Sequence, residues 1–284
     1  MIPDFEAVFR RAGVDGVLHA VDVDTGREVS YGPDEPVVTA SVFKLPLMVE
    51  LARMADAGAL KLTERITVTG EDRVSGPTGV SAMLDDVTMS LRDLAYLMIA
   101  VSDNTSADVL VGRVGLDNVN AMLAACGFTG TRVLHGSRVM FASLAEDCGH
   151  GWPYLDLDEL RAARALDPAR TNRSTPREMT RLLSMIWRDE LASAELSAWM
   201  RALMGMQVWP HRLSAGFPYD DVEVSGKTGS LPTLRNEVGV VEYPDGGRYA
   251  VAVFTRAFSP AANQPRADAV IGTTAYMAVD HLRR

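Results

Sequence analysis

The pattern of apolar residues predicts an α/β plus all-α fold, in which an antiparallel sheet built from both ends of the chain is flanked by helices. Apolar and polar residues alternate near both termini, whereas the middle of the chain has helical periodicity. Because sheets and helices bury their apolar faces against one another, we expect the helical middle to form an inserted all-α lobe. The sequence therefore predicts a single domain over 1–284, with 1–38 and 207–284 in an α/β lobe and 39–206 in an all-α lobe.

The first elements are two antiparallel strands followed by a long helix. Apolar and polar residues alternate from Gly16 to Tyr31 on both sides of Asp24-Thr25-Gly26, which is typical of a hairpin. From Thr39 onward apolar residues recur at helical spacing until Gly58 ends the pattern. Further helices are predicted over residues 89–101, 105–114, 117–125, 175–188 and 195–204.

The helix after Thr175 has the clearest start in the sequence. Thr175 is a good N-cap, Pro176 occupies the first helical position, and Glu178 is placed to complete a capping box. The stretch 137–172 before it is the least periodic part of the chain, and we interpret it as a long excursion or lid. Later in the chain the period returns to two, which predicts strands over 222–224, 236–243 and 248–255 and then a final helix from 263.

Composition excludes several classes of function. The chain is 47% hydrophobic and 23% charged, as in globular proteins, and its apolar stretches are shorter than the roughly 18 to 20 residues of a membrane span. A net charge of -9 argues against nucleic-acid binding. Neither the histidines nor Cys126 and Cys148 have metal-ligand spacing, and glycine-rich phosphate loops are absent.

These observations lead to expectations about partners and location. We expect a monomer that acts on a small-molecule substrate, with no cofactor, no metal, no nucleic-acid partner and no membrane span. The N-terminal residues have neither a basic nor an apolar signal region. The sequence is therefore consistent with a cytoplasmic protein or with a secreted one whose signal has been removed.

Ser41-Val-Phe-Lys44 is a candidate nucleophile and base, because residues three apart on a helix share a face. A lysine can accept a proton when burial lowers its pKa, whereas an arginine cannot. Only three of the 28 basic residues are lysines, and the other 25 are arginines. One Ser-x-x-Lys nevertheless arises by chance in about one chain in five or six, so this motif alone is weak.

Two further motifs follow in the chain. Ser102-Asp103-Asn104 lies between two predicted helices and is explained on its own by a helix cap. Lys227-Thr228-Gly229-Ser230 ends a strand pattern and is explained on its own by a glycine turn. Together with the first motif, in this order, they are expected by chance on the order of once in ten thousand chains. We therefore interpret the three as one active site.

These motifs resemble those of class A β-lactamases and penicillin-binding proteins. The likeness covers nearly the whole chain and includes the hairpin at Val21 to Gly26, the helix end at Ala57 to Leu60, and Leu234 to Gly239 after the third motif. It implies the β-lactamase/transpeptidase-like fold. It also implies that Ser41 is the acylated nucleophile and that Lys44 is its proton acceptor. Ser102, assisted by Lys227, would then pass a proton to the leaving nitrogen.

The resemblance implies further roles around the substrate. Asn104 would hydrogen-bond the side-chain amide of the substrate, and Thr228, Ser230 and Arg235 would hold its carboxylate. The backbone N–H groups of Ser41 and Ser230 would form the oxyanion hole.

The sequence departs from the family where hydrolysis of the acyl-enzyme is concerned. That step uses a glutamate before the Thr-Pro segment, followed four residues later by an asparagine. Counting back from Pro176 reaches Glu159, but Ala163 stands where the asparagine is expected. Counting forward from the second motif reaches Ser137 and Arg138, neither of which is acidic.

Two interpretations of the acidic residues, as deacylation base or as surface residues, therefore stay open. The acidic residues of the loop are candidates, with Glu159 the one chosen by spacing, but each is equally well explained as a solvated surface residue. They are Glu146, Asp156, Asp158 and Glu159.

Three functions follow from this pattern. The first is a serine hydrolase that opens the β-lactam amide through a Ser41 acyl-enzyme and so confers antibiotic resistance. The second is a peptidase or esterase of the same fold that acts on D-Ala peptides or small esters. The third is a slowly deacylating β-lactam-binding or sensing module.

Overall fold

The computed structural model describes residues 3–149 and 156–284. The helices in this part are α1 Phe5–Ala12, α2 Lys44–Asp56, α3 Leu91–Ala100, α4 Asn104–Val114, α5 Leu116–Ala125, α6 Ser137–Cys148, α7 Leu157–Ala162, α8 Pro176–Trp187, α9 Ala194–Gly205 and α10 Pro265–Arg283. The strands are β1 Val14–Asp22, β2 Glu28–Tyr31, β3 Val37–Val38, β4 Arg65–Val68, β5 Val87–Ser90, β6 Arg173–Ser174, β7 Glu223–Leu231, β8 Leu234–Glu242 and β9 Arg248–Ala257. No helix in these two ranges is both long and apolar enough to cross a membrane.

Five antiparallel strands form the main sheet, in the order β2-β1-β9-β8-β7. The N-terminal hairpin and the C-terminal strands meet where Val14 to Asp22 of β1 pair with Ala257 to Tyr249 of β9. The predicted fold, an antiparallel sheet from both ends of the chain flanked by helices, is therefore confirmed. β7, which carries the third motif, is an edge strand and lies next to the turn that contains Ser41.

Both faces of the sheet are covered by helices. On one face, α1 and α10 pack against it through Phe5, Phe9, Ile271 and other apolar residues. On the other face lies the larger core, in which α8 and α9 pack against the sheet, with α2 to α5 beyond. Every residue of β8 except Glu242 is buried, because a strand covered on both faces has no solvent side.

The region 137–172 contains more regular structure than the sequence predicts. Within it, α6 and α7 contribute Met140, Cys148 and Leu160 to a small core of their own. Few residues of α6 are buried, and its apolar residues do not recur at a regular helical spacing. The periodicity of the sequence therefore did not predict this helix. Residues 150–155 of this region lie outside the described residues.

Candidate active site

Ser41 lies in a 3₁₀ turn, Ala40–Phe43, that leads directly into α2. The turn is held from behind by Asn236 of β8, whose Nδ2 donates to Val38 O at 2.9 Å and to Thr39 O at 3.4 Å. Ala40 has φ +46°, a conformation that costs a residue with a side chain about 1–3 kcal/mol and is retained where the surroundings impose it. Ser41 is thus held by a fixed, strained turn.

The edge strand β7 comes close to this turn at Gly229. A Cβ atom on Gly229 would lie 2.6 Å from Thr39 O and 3.3 Å from Ala40 Cβ. Only glycine allows the backbones to approach this closely. The third motif is therefore joined to the first by direct backbone packing.

Lys44 is fully buried one helical turn after Ser41, and its backbone N–H donates to Ser41 O. Its Nζ donates to Ser102 O at 2.7 Å, to Asn104 Oδ1 at 2.9 Å and to Ser102 Oγ at 3.3 Å. Burial lowers the pKa of Lys44 to about 7, and the negative charges of Asp103 and Asp108 oppose that shift. At neutral pH a substantial fraction of the Lys44 amine is therefore unprotonated.

Ser102 lies between the two lysines of the motifs. Its φ is +60°, a second strained position, which directs both its carbonyl and its hydroxyl toward Lys44. Lys227 Nζ donates to Ser102 Oγ at 2.9 Å and to Thr228 O at 2.8 Å. Burial, reinforced by the positive charge of Lys44, lowers the pKa of Lys227 well below its usual value. One hydroxyl thus links two buried amines.

The strained conformation of Ser102 is stabilised by the residue after it. Asp103 is fully buried, caps α4 by accepting from Thr105 N at 3.1 Å, and accepts from Val80 N at 2.9 Å. It also accepts from Ser81 Oγ at 2.7 Å and from Ser106 Oγ at 2.5 Å. A carboxylate with this many donors is well compensated for its burial. The helix-cap explanation of the second motif is therefore correct for Asp103, while its neighbours Ser102 and Asn104 accept hydrogen bonds from Lys44.

Asn104 has both ends of its side-chain amide engaged. Oδ1 accepts from Lys44, and Nδ2 donates to Ser75 O at 2.9 Å. These bonds orient the amide beside Lys44 and leave Asn104 only 8% exposed.

The arginine predicted to hold a substrate carboxylate has other partners. Arg235 donates from Nη1 to Leu231 O and Leu234 O, and from Nη2 to Ala262 O at 2.7 Å. Its Nε is 3.6 Å from Asp268 Oδ1. The guanidinium of Arg235 is therefore committed to the end of the sheet.

A different arginine reaches the third motif. Arg212 Nη2 donates to Ser230 Oγ at 2.7 Å, and its Nη1 donates to Gly229 O at 3.2 Å. Its Nε donates to Asp268 Oδ1 at 2.7 Å, and this carboxylate compensates the positive charge of a side chain that is only 4% exposed. Arg212 lies in an aperiodic segment among 25 arginines, so nothing in the sequence singled it out.

A buried carboxylate lies next to the third motif as well. Glu237 is fully buried and accepts from Gln207 Nε2 at 2.6 Å and from Leu213 N at 2.7 Å. Gln207 in turn accepts from Thr228 N at 2.6 Å. Burial raises the pKa of Glu237 to about 7, against the effect of its hydrogen bonds and of Lys227. The only local sequence signal was an acidic residue within an otherwise apolar strand.

The four acidic candidates of the 137–172 loop are all exposed. Each has a local partner that explains its place on the surface. Glu146 pairs with Arg164 at 2.7 Å, and Asp158 pairs with Arg161 at 2.8 Å. Asp156 and Glu159 bond to each other and form the capping box of α7. The structure therefore gives Glu159 a helix-capping position at the surface.

The start of α6 is hydrogen-bonded to α4, the helix that follows the second motif. Asp108 of α4 accepts from Ser137 N at 2.5 Å and from Arg138 N at 2.8 Å. Ser137 is fully buried, and its Oγ has no hydrogen-bond partner among the residues described. Ser137 is the residue that the forward count from the second motif had reached. The negative charge of Asp108 raises the pKa of Lys44 and so opposes the effect of burial.

The described part of the chain contains no group of three or more His, Cys, Asp or Glu residues that is arranged to hold a metal ion. Cys126 and Cys148 are both free thiols.

Comparisons with known proteins show which family the chain resembles. A family model described as the beta-lactamase enzyme family matches residues 3–282. The chain is 32% identical to the beta-lactamase regulatory protein BlaB of Streptomyces cacaoi, with 100% of this chain and 97% of that protein covered. It is 29% identical to a beta-lactamase of Amycolatopsis lactamdurans, with 93% of this chain and 80% of that protein covered.

Solved structures show the same likeness. The beta-lactamase from Sphaerobacter thermophilus DSM 20745 matches with a TM-score of 0.78 and 28% identity, and 95% of each chain is covered. A beta-lactamase from Chitinophaga pinensis DSM 2588 matches with a TM-score of 0.82 over 98% of this chain and 97% of that one. At 21% identity, the second match is a likeness of fold alone.

Proposed function

The chain belongs to the beta-lactamase enzyme family, and from this premise we propose that it is a serine hydrolase that opens β-lactam amides through an ester on Ser41. The observation that carries this proposal is the hydrogen-bonded series Lys44–Ser102–Lys227 beside the Ser41 turn. It supplies a proton acceptor, a proton carrier and a positive charge in one buried group.

Acylation uses each of these groups in turn. Ser41 Oγ attacks the carbonyl carbon, and its proton passes to the neutral amine of Lys44. The C–N bond of the cyclic amide then breaks, and the proton reaches the leaving nitrogen through Ser102 Oγ, which lies 3.3 Å from Lys44 Nζ. The products of this step are a Ser41 ester and a ring-opened amine. The backbone N–H groups of Ser41 and Ser230 stabilise the oxyanion that forms during attack.

The substrate carboxylate binds at the edge of β7. Thr228 and Ser230 donate to it from the strand, and Lys227 contributes positive charge. Arg212 takes the part that the sequence assigned to Arg235, because its guanidinium already donates to Ser230 Oγ at 2.7 Å. Asn104 contacts the side-chain amide of the substrate.

Hydrolysis of the ester is the slow step in this proposal. Water must be activated by a base, and the four acidic candidates of the loop, Glu159 included, lie on the exposed surface with other partners. The buried residue that is tied to α4 in this region is Ser137, whose hydroxyl is a poor base. We therefore propose that the ester accumulates during turnover.

This property also favours a second candidate function, that of a β-lactam sensor. A long-lived Ser41 ester would report the presence of a β-lactam rather than destroy it. The relative at 32% identity is named as a regulatory protein, which supports this candidate.

The proposal is tested by intact-mass spectrometry after incubation with benzylpenicillin. We expect the wild-type protein to gain one equivalent of ligand and Ser41→Ala to gain none. Ser259→Ala, which changes an exposed serine, is the matched control and is expected to react like wild type. Acylation of Ser41→Ala would contradict the proposal, as would hydrolysis of D-Ala-D-Ala peptides or p-nitrophenyl esters without any reaction with β-lactams.

A further inference from the structure

The buried carboxylate of Glu237 is held by two donors that come from one short segment of the chain. Oε1 accepts from Gln207 Nε2 at 2.6 Å, and Oε2 accepts from Leu213 N at 2.7 Å. Both donors belong to the segment 206–213, which follows α9. Because an ionised carboxylate accepts hydrogen bonds at both oxygens, Glu237 fastens both ends of this segment to β8.

The same segment carries Arg212, the arginine that reaches the third motif. Arg212 directly precedes Leu213 in the chain, and its Nη2 donates to Ser230 Oγ at 2.7 Å. Its Nη1 donates to the carbonyl of Asn236, the residue before Glu237, at 3.0 Å. The positive charge of Arg212 also lowers the pKa of Glu237, against the larger effect of burial. Glu237 therefore lies where it can fix the position of the Arg212 guanidinium.

The side chain of Gln207 extends this contact to the strand of the third motif. Its Oε1 accepts from Thr228 N at 2.6 Å, while its Nε2 donates to Glu237. Thr228 and Glu237 are direct neighbours in the register of β7 and β8. A Cβ atom at Gly226 would lie 2.9 Å from Glu237 Oε1 and 3.2 Å from Gln207 Nε2, so glycine leaves the room that this bridge occupies.

We propose that Glu237 is a positioning residue for recognition of the substrate carboxylate, because it holds the segment 206–213 so that Arg212 stands at Ser230. Glu237 acts through Arg212 and does not touch the substrate. This role rests on the proposed β-lactam chemistry. Glu237→Gln keeps the shape of the side chain but leaves one acceptor oxygen, so either Gln207 Nε2 or Leu213 N loses its partner.

The test compares the acylation rates of benzylpenicillin and its methyl ester, which lacks the negative charge, by intact mass at pH 8. At this pH the carboxyl of Glu237, whose pKa burial raises to about 7, is mostly ionised. We expect wild type to favour benzylpenicillin by at least about tenfold, since hydrogen bonds to an ionised group are the stronger ones. Glu237→Gln is expected to reduce this preference at least about fivefold by slowing benzylpenicillin alone. Glu242→Gln, the same change at the partly exposed end of β8, is the matched control and is expected to keep the wild-type preference.

A purely structural role of Glu237 would slow both substrates by the same factor. An unchanged preference in Glu237→Gln would therefore overturn the positioning role and leave the proposed function intact, and so would a wild-type protein that shows no preference. Absence of acylation of wild type by either substrate would contradict the proposed function and the positioning role together. Should Glu237→Gln fold poorly, Gln207→Ala removes one donor to the carboxylate at a partly exposed position and is expected to lower the preference in the same direction. An unchanged preference in Gln207→Ala would then overturn the positioning role.

Discussion

At the scale of single residues, the protonation state of Lys44 controls the proposed chemistry. Burial lowers the pKa of Lys44 to about 7, and only the neutral amine can accept the proton of Ser41. We therefore predict that the acylation rate rises with pH, about tenfold per unit well below pH 7, and levels off above it. Stopped-flow measurement with nitrocefin between pH 5 and 9 gives this profile.

Lys44→Arg is the matched variant for that profile. Arginine keeps the positive charge but does not deprotonate, so acylation is expected to fall by about 10²- to 10⁴-fold. A wild-type rate that does not change between pH 5 and 8 would show that Lys44 is not the proton acceptor.

Two fully buried serines differ in a way that predicts opposite effects on stability. Ser106 Oγ donates to Asp103 at 2.5 Å, whereas Ser137 Oγ has no partner among the described residues. Removing a paired hydroxyl costs about 1–3 kcal/mol, because Asp103 then loses a donor, and removing an unpaired one costs nothing. We predict that urea denaturation shows Ser106→Ala to be destabilised and Ser137→Ala to be as stable as wild type or more so. A loss of more than about 1 kcal/mol in Ser137→Ala would mean that its hydroxyl is paired after all.

At the scale of elements, the contact between β7 and the Ser41 turn is the most constrained feature. Gly229→Ala would place a Cβ atom 2.6 Å from Thr39 O, which forces the strand and the turn apart. We predict that acylation by benzylpenicillin, followed by intact mass, slows at least about tenfold, because the proposed oxyanion donors, the backbone N–H groups of Ser41 and Ser230, would no longer face one position.

Gly112→Ala is the control for this change. Gly112 is exposed in the last turn of α4, and a Cβ there meets no atom within 4 Å. Alanine at this position is expected to stabilise the helix by up to about 1 kcal/mol without altering acylation. Equal acylation rates in the two variants would mean that the Gly229 contact does not matter for the site.

The elements that the sequence predicted well are those with a local signal. Thr175 caps α8 by accepting from Glu178 N at 3.1 Å, as predicted. The other half of that prediction was wrong, because Glu178 turns to accept from Thr129 N and Gly130 N at 2.9 Å each. The choice between a local and a distant donor depends on tertiary packing, which the sequence pattern of one helix does not contain.

At the scale of the whole molecule, a buried histidine joins the sheet to α8. His19 of β1 bonds through Nδ1 to Thr180 Oγ1 at 2.6 Å. Because Thr180 Oγ1 donates to Arg177 O, it accepts from His19, and the second ring nitrogen faces the guanidinium of Arg177 at 3.2 Å. The same nitrogen lies 3.1 Å from Glu28 Oε2, which favours a proton there, but burial outweighs this effect and lowers the pKa of His19 below 6.5, so the ring is neutral at pH 7.

This arrangement predicts how stability depends on pH. A histidine whose pKa is lower in the folded state than in the unfolded state binds fewer protons when folded, so stability is lost as pH falls below about 6.5. We predict that the free energy of unfolding drops more steeply between pH 7.5 and 5 in wild type than in His19→Gln, by at most about 1.4 kcal/mol per unit of pKa difference. Parallel pH profiles of the two proteins would show that His19 keeps its ordinary pKa.

The site was predictable from sequence only as far as its motifs extend. Ser41, Lys44, Ser102 and Lys227 stand in short motifs, and the structure brings the last three into one hydrogen-bonded series beside the Ser41 turn. Arg212 comes from an aperiodic segment and reaches Ser230 only through the fold. The family resemblance had selected Arg235, whose register neighbour on β7 is Ser230, but its guanidinium is occupied by backbone carbonyls.

The central claim is that a Ser41 ester forms readily and is hydrolysed slowly, and a nitrocefin burst experiment tests it most directly. With nitrocefin in excess, the account predicts a rapid burst of about one product per protein and then a much slower steady rate, with acylated protein present throughout. A rapid linear turnover from the start, with no acylated protein detected by intact mass, would contradict it.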